Sequence, residues 1–263
     1  MKDVQNTLDR RGIAIQRVGI KDAHLPFLIK TKKGGFQQVL ARIMFTVSLP
    51  MEYKGTHMSR FLEILNQWSQ QPVAELEMDA ILAEALEKLE AYSAELCIQF
   101  KYFIQKMAPV SGKQSVLDLD CSFRGTKKRG EAMQFSLGVD VPFTSLCPCS
   151  KEISRYGAHN QRGNMHVQLR FQKDMECIYI EDLAKLMEEQ ASCPIYPLLK
   201  REDEKFVTEK AYENPKFVED ILRDLVIVLR GLDGIEWFAV ECENFESIHN
   251  HSAYASHEEV VQR

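Results

Sequence analysis

Hydrophobic residues recur with two different periods along this 263-residue chain. Where they alternate with polar residues or form β-branched and aromatic runs, they predict strands, and where they recur every three to four residues they predict amphipathic helices. The last predicted helix carries boundary signals, with Asn214 as N-cap, Pro215 at the first helical position and Gly231 as its stop. The pattern predicts strands at 36–50, 95–107, 115–123, 134–142, 164–172 and 235–245, and helices at 58–70, 74–92, 179–190 and 214–231.

The order of these elements predicts an α+β protein made of two similar modules. The first half runs strand, helix, helix, strand, and the second half again places strands before helices. A strand that runs into proline recurs in VSLPMEYKGTHMS (47–59) and VDVPFTSLCPCS (139–150), although such an ending is also common by chance. We therefore expect two tandem modules of antiparallel sheet with paired helices, at 1–110 and 111–263.

Composition narrows the class of protein. With 45% hydrophobic residues the chain can bury a core, and a net charge of -5 argues against binding driven by nucleic-acid phosphates, although the basic TKKRG (126–130) could hold one polyphosphate. No apolar run approaches the roughly 20 residues of a membrane span, and the start of the chain lacks a signal peptide's apolar segment, so the expected location is cytoplasmic. Seven scattered cysteines favour reduced thiols.

Two thiols lie one residue apart in SLCPCS (145–150). A CPC pair chelates one ion less easily than CxxC, so one thiol can bind a metal while the other faces a substrate. The alternative is two small buried hydrophobic side chains. The nearby GAHNQRG (157–163) places His159 among turn formers, with a plain solvated loop histidine as the alternative, and offers Arg162 for a phosphate or carboxylate.

Acidic and imidazole side chains cluster further along the chain. ESIHNHSAY (246–254) holds Glu246, His249 and His251 within six residues, with a plain surface tail as the alternative. Glu219, flanked by apolar residues of a predicted helix, is expected to be half-buried and would suit a guanine edge, which presents two adjacent N–H donors. Read alone, KREDEK (200–205), with Glu202, Asp203 and Glu204, is a solvated charge run.

A cysteine, two or three imidazoles and a glutamate suggest a mixed sulfur, nitrogen and oxygen site with an open position for water activation by zinc, iron or manganese. The chain contains no GxxxxGK[ST], GxGxxG, GxSxG or HExxH motif. The residues alone therefore indicate a metal-assisted hydrolase or lyase.

Five segments in register over residues 15–255 resemble the type IB GTP cyclohydrolase family of the tunnelling-fold (T-fold) superfamily. This resemblance implies two tandem T-fold modules, a barrel oligomer, and active sites between the subunits of a homotetramer built from dimers. It implies hydrolysis of GTP at guanine C8 to 7,8-dihydroneopterin triphosphate and formate, for tetrahydrofolate synthesis and for 7-deazaguanine (queuosine) tRNA modification. The segments are KGTHMSRF (54–61), SLCPCSKEIS (145–154), GAHNQRG (157–163), KREDEKFVTEKAYENPKFVEDILRD (200–224) and ENFESIHNHSAYA (243–255).

The resemblance also implies roles for single residues. The divalent metal, Zn, Mn or Fe(II), would be held by Cys147, His159, Glu204 and His249. Cys149, Glu246 and His159 would be catalytic. Glu219 would anchor the purine edge. The remaining substrate contacts, mostly to the triphosphate, would come from His57, Arg60, Lys127, Lys128, Arg162 and His251.

Two other functions stay open from the sequence. Another tunnelling-fold enzyme, such as an NADPH-dependent nitrile reductase, also uses a cysteine and a purine-anchoring glutamate, but the histidine-rich segments favour metal-dependent hydrolysis. A non-catalytic purine-binding zinc protein is the second alternative.

Overall fold

A computed structural model describes residue 5, residues 7–173, residue 175 and residues 177–261. Within these residues the chain forms ten strands and six helices. The strands are β1 (Ile15–Lys30), β2 (Phe36–Leu49), β3 (Pro72–Val73), β4 (Ser93–Met107), β5 (Gln114–Lys128), β6 (Gln134–Leu146), β7 (Asn160–Phe171), β8 (Cys193–Pro194), β9 (Ile235–Asn244) and β10 (Ala253–Val260). The helices are α1 (Met58–Trp68), α2 (Glu75–Lys88), α3 (Pro148–Ile153), α4 (Ile180–Glu188), α5 (Arg201–Glu213) and α6 (Val218–Arg230).

The chain folds into two compact units, and β4, β5 and β6 give part of their length to each. The predicted division into modules 1–110 and 111–263 stays a prediction. Unit 1 comprises Met1–Lys101 and Ser122–Leu137, and unit 2 comprises Tyr102–Cys121 and Gly138–Arg263.

Unit 1 is a sheet with a pair of helices. Its strands lie in the order β3-β1-β2-β4-β5, and β2 pairs antiparallel with both β1 and β4. Helix α1 packs against α2 and β1. The rings of Phe45 in β2 and Phe61 in α1 meet edge to face, with centroids 5.2 Å apart. This aromatic pair fixes the helix to the sheet, because edge-to-face contact adds to the burial of both rings.

In unit 2 the strands lie in the order β4-β5-β6-β7-β9-β10, with β8 pairing β6. Strand β9 pairs antiparallel with β7 and with β10. Helix α6 packs on β9 and β10 and buries Ile221, Leu225 and Leu229, which share one face because they recur every three to four residues. The predicted α+β class with an antiparallel sheet is confirmed.

Every predicted strand and helix is present, but the start of one helix is wrong. Helix α6 begins at Val218, with Phe217 as its N-cap, rather than after Asn214. Asn214 instead ends α5, and its side-chain amide donates to the carbonyls of Ala191 and Ser192 at 3.0 and 3.3 Å. The expected capping residue is therefore already used by another contact.

The prediction that a strand runs into proline in both 47–59 and 139–150 is also wrong. Pro50 follows the end of β2, whereas Pro142 lies inside β6, which continues to Leu146. The two segments share a sequence pattern and not a strand end.

The sequence pattern misses β1, β10, α5 and three short elements. In β1 the alternation of polar and apolar residues is interrupted, because the pairing with β2 shifts register between Ile20 and Ala23 and Asp22 takes a φ of 59°. Strand β10 overlaps the segment for which a surface tail is the alternative, and α5 begins in the segment whose sequence indicates a charge run.

Each unit contains one of the chain's two tryptophans. The indole N–H of Trp68 in unit 1 donates to Glu84 at 2.7 Å. The indole N–H of Trp237 in unit 2 donates to Glu258 of the neighbouring strand at 2.9 Å, and the guanidinium of Arg170 lies 4.8 Å from the Trp237 ring centre. Both indoles are therefore held by polar partners within their own unit.

All seven cysteines lie in the described part of the chain, and none forms a disulfide. Among the helices described, none has the length and apolar character that crossing a bilayer requires.

Candidate metal and substrate site

The two thiols of the CPC segment occupy different settings at the end of β6. Cys147 is the N-cap of α3, and its sulfur accepts a hydrogen bond from the backbone N–H of Ser150 at 3.4 Å. Pro148 takes the first helical position, where its missing N–H costs nothing. Cys147 is half-buried and Cys149, on the helix, is exposed. The turn into the helix therefore separates the environments of the two sulfurs.

His159 is tied to the same turn by its backbone. The N–H of Cys147 donates to the carbonyl oxygen of His159 at 3.1 Å, and the N–H of His159 donates to Ser150 Oγ at 3.1 Å. These two bonds hold the residue that precedes β7 beside the start of α3. The backbones of Cys147 and His159 are therefore adjacent, whereas their joint role as metal ligands stays a prediction.

Behind the turn lies a buried polar cluster, defined by Ser145, Gln161 and Asn244. Ser145 and Asn244 are the last residues of the inward-facing stripes of β6 and β9, and Gln161 is the first inward-facing residue of β7. The three residues expose 0%, 7% and 3% of their surface. Ser145 Oγ lies 3.4 Å from Gln161 Nε2 and 3.1 Å from Asn244 Nδ2, and it also contacts the carbonyl of Lys216 at 3.1 Å.

Gln161 joins this cluster to two candidate catalytic residues. Its Oε1 lies 2.9 Å from Nδ1 of His159, and its Nε2 donates to Oε1 of Glu246 at 3.4 Å. The antiparallel register of β7 and β9 explains the second contact. Gly163 pairs with Asn244 at the end of the ladder, so continuing the register places Gln161 opposite Glu246.

A cavity of about 160 Å³ opens beside this cluster and brings three predicted residues together. Cys147, Glu219 and Glu246 all line it. Glu219 lies in the first turn of α6 and is exposed, so the expectation that it is half-buried is wrong: its side chain projects from the helix start and not from the buried stripe. The other lining residues are Ser145, Gln161, Lys216, Phe217, Val218, Asn244 and Ala253.

Other predicted residues of unit 2 lie on the surface. Glu204 is exposed in the first turn of α5, and Arg162 is exposed on β7, where its carbonyl accepts from Phe245 at 2.8 Å. His249 and His251 are exposed between β9 and β10, with stacked rings 5.2 Å apart. Within the described part of this one chain, no three histidine, cysteine, aspartate or glutamate residues are arranged to hold a metal ion.

The remaining predicted contacts belong to unit 1. His57, the N-cap of α1, and Arg60 line a small cavity, and the Arg60 guanidinium donates to the carbonyl of Lys88 at 2.7 Å. Lys127 pairs with Asp79 at 2.6 Å. Lys128 lies 3.7 Å from Glu131. Both lysines of the basic segment therefore have carboxylate partners.

Asp203 departs most from its predicted setting. The solvated charge run predicted for KREDEK is wrong at this residue, whose side chain is fully buried. It accepts hydrogen bonds from the backbone N–H groups of Val110, Ser111 and Lys200 and from the Ser111 hydroxyl, at 2.6–2.9 Å. Burial favours the neutral acid, but these bonds outweigh it and hold the pKa of Asp203 well below its usual range. The carboxylate anchors the start of α5, next to Glu204.

The donor types at the β6–α3 turn suit the metal that the sequence predicts. A cysteine sulfur and an imidazole nitrogen are ordinary zinc ligands. The sulfur of Cys147 accepts a long hydrogen bond at 3.4 Å, and the hydrogen bond of the His159 ring among the described residues is at Nδ1, which leaves Nε2 for a ligand role. These two residues therefore fit a divalent metal ion, with carboxylate and further imidazole ligands to be supplied from elsewhere.

Comparison with known proteins identifies the family. A family model described as type I GTP cyclohydrolase FolE2 matches residues 1–255. The GTP cyclohydrolase FolE2 of Geobacter metallireducens is 54% identical over 256 residues, covering 97% of this chain and 96% of the relative. That of Geobacter sulfurreducens is 52% identical over 259 residues, covering 98% of each chain.

Solved structures agree on the fold. A uricase from Bacillus fastidious matches with a TM-score of 0.57, covering 94% of this chain and 93% of the other at 8% identity. Uricase from Arthrobacter globiformis matches with a TM-score of 0.54 at the same coverage and identity. At 8% identity this similarity indicates a T-fold-like fold and carries no information on function. By the family match and by the identity of its relatives over nearly the whole length, the chain belongs to the FolE2 family of type I GTP cyclohydrolases.

Proposed function

We propose that this protein hydrolyses GTP at C8 of the guanine and forms formate and 7,8-dihydroneopterin triphosphate. The observation that carries this proposal is one cavity that Cys147, Glu219 and Glu246 line together, with His159 hydrogen-bonded to the lining residue Gln161. A thiol and two carboxylates on one cavity, with an imidazole bonded to a lining residue, supply the groups that purine binding and hydrolysis need. Membership of the FolE2 family supports GTP as the substrate.

The residues that would hold a divalent metal ion, Zn, Mn or Fe(II), are Cys147, His159, Glu204 and His249. Such an ion supplies a water molecule activated for attack on C8. Cys147 and His159 adjoin each other, whereas Glu204 and His249 lie on exposed segments of the chain. A homotetramer built from dimers, with active sites shared between subunits, is consistent with that distribution.

Glu219 would bind the purine. An ionised carboxylate presents two acceptor oxygens, and the pyrimidine edge of guanine presents two adjacent N–H donors, so the pair can form two parallel hydrogen bonds. The exposed position of Glu219 on the cavity rim leaves both oxygens accessible to a ligand.

Glu246 and Cys149 would act on the reacting part of the guanine. Glu246 lies on the cavity and accepts a hydrogen bond from Gln161, which orients its carboxylate for proton transfer. Cys149 is exposed on α3, two residues from Cys147, and would contact the substrate near C8.

The basic residues would bind the triphosphate, with His251 as a further substrate contact. Arg162 and His251 are exposed in unit 2. His57, Arg60, Lys127 and Lys128 belong to unit 1, and Lys127 and Lys128 would exchange their carboxylate partners for phosphate oxygens. The product would enter tetrahydrofolate synthesis and 7-deazaguanine formation in the cytoplasm.

The test is turnover by purified protein that has been freed of metal and reloaded with Zn²⁺, Mn²⁺ or Fe²⁺. We expect formate and, after oxidation, a fluorescent pterin, with no product in chelator. A folded oligomer that binds GTP but releases no formate with any of these ions would contradict the proposal and favour a non-catalytic purine-binding protein. NADPH consumption with 7-cyano-7-deazaguanine would instead indicate a nitrile reductase.

A further inference from the structure

Each hydrogen bond of the buried polar cluster has only one possible assignment of donor and acceptor. The carbonyl of Lys216 can only accept, so the Ser145 hydroxyl donates its single proton to it. Ser145 Oγ must then accept at both of its other contacts, from Nε2 of Gln161 and from Nδ2 of Asn244. A backbone carbonyl thus determines which end of the Gln161 amide faces Ser145.

Glu246 imposes the same orientation on Gln161 from the opposite side. An ionised carboxylate can only accept, so it requires the amide nitrogen of Gln161 at the 3.4 Å contact. Two independent contacts therefore agree that the Gln161 oxygen points the other way. That oxygen lies 2.9 Å from Nδ1 of His159.

A carbonyl-type oxygen accepts and never donates, so Nδ1 of His159 must carry the hydrogen of this bond. In the neutral imidazole the second nitrogen, Nε2, is then unprotonated and is the one able to bind a metal ion. Gln161 exposes 7% of its surface and Ser145 none, so protein groups supply most of the hydrogen-bond partners of these two side chains. The acceptor at Lys216 thus fixes the donor and acceptor roles of Ser145, then of Gln161, and finally of the His159 imidazole.

We propose that Gln161 is a positioning residue that fixes His159 in the Nδ1–H tautomer, leaving Nε2 for the metal, and links the imidazole to Glu246 through one side-chain amide. The inference rests on the proposed function, since it takes His159 to be a metal ligand. Partners of this kind, which orient a metal-binding histidine through its other ring nitrogen, typically contribute about 10- to 100-fold in metal affinity.

The experiment measures Zn²⁺ affinity by competition with a chromophoric chelator, without substrate. Gln161→Met keeps the side-chain length but cannot accept from Nδ1–H, and we expect its affinity to fall about 10- to 100-fold. Gln161→Glu keeps an acceptor for Nδ1–H but loses the donor to Ser145 and Glu246, so we expect it to lose less affinity than Gln161→Met does. Gln168→Met, the same substitution further along β7, should bind zinc as the wild type does.

His159→Ala separates the two levels of inference. If His159→Ala binds zinc as tightly as the wild type, the proposed metal site is wrong. If His159→Ala loses affinity while Gln161→Met does not, the metal site stands and the positioning role of Gln161 is overturned. Equal losses in Gln161→Met and Gln161→Glu would also overturn it, because a merely structural role would not distinguish an acceptor from a thioether.

A second measurement does not depend on the folding of any Gln161 variant. Long-range ¹H–¹⁵N spectra of the metal-free wild-type protein report which imidazole nitrogen is protonated, and the His159 signals are those that His159→Ala lacks. We expect a protonated Nδ1 and an unprotonated Nε2. The opposite tautomer would overturn the proposal.

Discussion

The backbone N–H of Cys147 donates to the carbonyl oxygen of His159 at 3.1 Å, so a thiol and an imidazole that are separate in sequence are held at one turn. The bond joins main-chain atoms and does not depend on either side chain. Substitution of His159 therefore leaves this bond in place, and substitution of Cys147 removes only the separate hydrogen bond from the Ser150 N–H to the sulfur.

Replacing the two thiols in turn should separate metal binding from catalysis. Cys147→Ala removes a predicted ligand, so we expect the affinity for zinc to fall by at least about 100-fold. The zinc content of the purified protein and its turnover should fall with it. Cys149→Ala should retain zinc and lose turnover by about 10²- to 10⁴-fold, the range for removal of a group that acts in the chemical step. Elemental analysis and formate release measure the two effects.

The two variants serve as controls for each other, because both remove a sulfur from the same short segment. Equal zinc loss in both would mean that the thiols share one role. Full activity of Cys149→Ala would remove that residue from the chemistry.

Glu219→Gln should weaken recognition of the guanine edge. The amide offers one acceptor where the carboxylate offers two, and it turns a donor toward one of the substrate's N–H groups, so we expect kcat/KM for GTP to fall about 100-fold. The kcat/KM for inosine triphosphate, which lacks the exocyclic amino group, should fall less on this substitution. An unchanged preference for GTP over inosine triphosphate would exclude the direct contact.

Lys106→Met should destabilise unit 2 strongly. The Lys106 ammonium lies 2.7 Å from both carboxylate oxygens of Glu188, with side-chain exposures of 10% and 9%. Burial raises the pKa of Glu188 even with this cation beside it. Without the lysine the buried carboxylate has lost its partner, and we expect a loss of about 3–5 kcal/mol in unfolding free energy.

The double variant Lys106→Met with Glu188→Leu is the matched control. It removes both charges, so most of the lost stability should return in denaturant titrations. If the double variant is no more stable than Lys106→Met, the loss comes from packing and not from the unpaired charge.

Asp203→Asn should destabilise the protein at pH 7, and the difference in stability between the variant and the wild type should be smaller at acidic pH. The pKa of Asp203 is lowered in the folded state, so the carboxylate contributes stability above its unfolded pKa of about 4 and loses it as the pH falls toward the folded pKa. We expect Tm to drop by on the order of 5 °C at pH 7. The difference from wild type should shrink between pH 5 and pH 3, and a constant difference would refute the linkage.

Regular alternation and helical spacing were sufficient to predict the elements with continuous buried stripes, such as β6, β7 and α6. Asp203 shows why other features were not predictable. A charge run is interpreted from its sequence neighbours, whereas most of the groups that bind Asp203 belong to Val110 and Ser111, which lie 93 and 92 residues away. Burial of a single carboxylate inside such a run requires knowledge of the tertiary fold.

The candidate site was predicted in part. Cys147, Glu219 and Glu246 were identified and share a cavity, but Ser145, Gln161 and Asn244, which connect it to the sheet, were missed. A signal existed in the sequence. Gln161 continues the inward-facing positions of β7, and Asn244 does the same in β9. A polar residue at an inward-facing strand position needs a hydrogen-bond partner. Only the strand order shows that Gln161 and Asn244 both bond to Ser145.

The distribution of indoles allows the two units to be followed separately by fluorescence. Trp68 reports on unit 1 and Trp237 on unit 2, and each indole N–H is bonded to a carboxylate whose loss would shift its emission. Replacing either tryptophan by phenylalanine leaves a single emitter. Unfolding monitored in the two single-tryptophan proteins would then tell whether the units melt in one cooperative transition or one after the other.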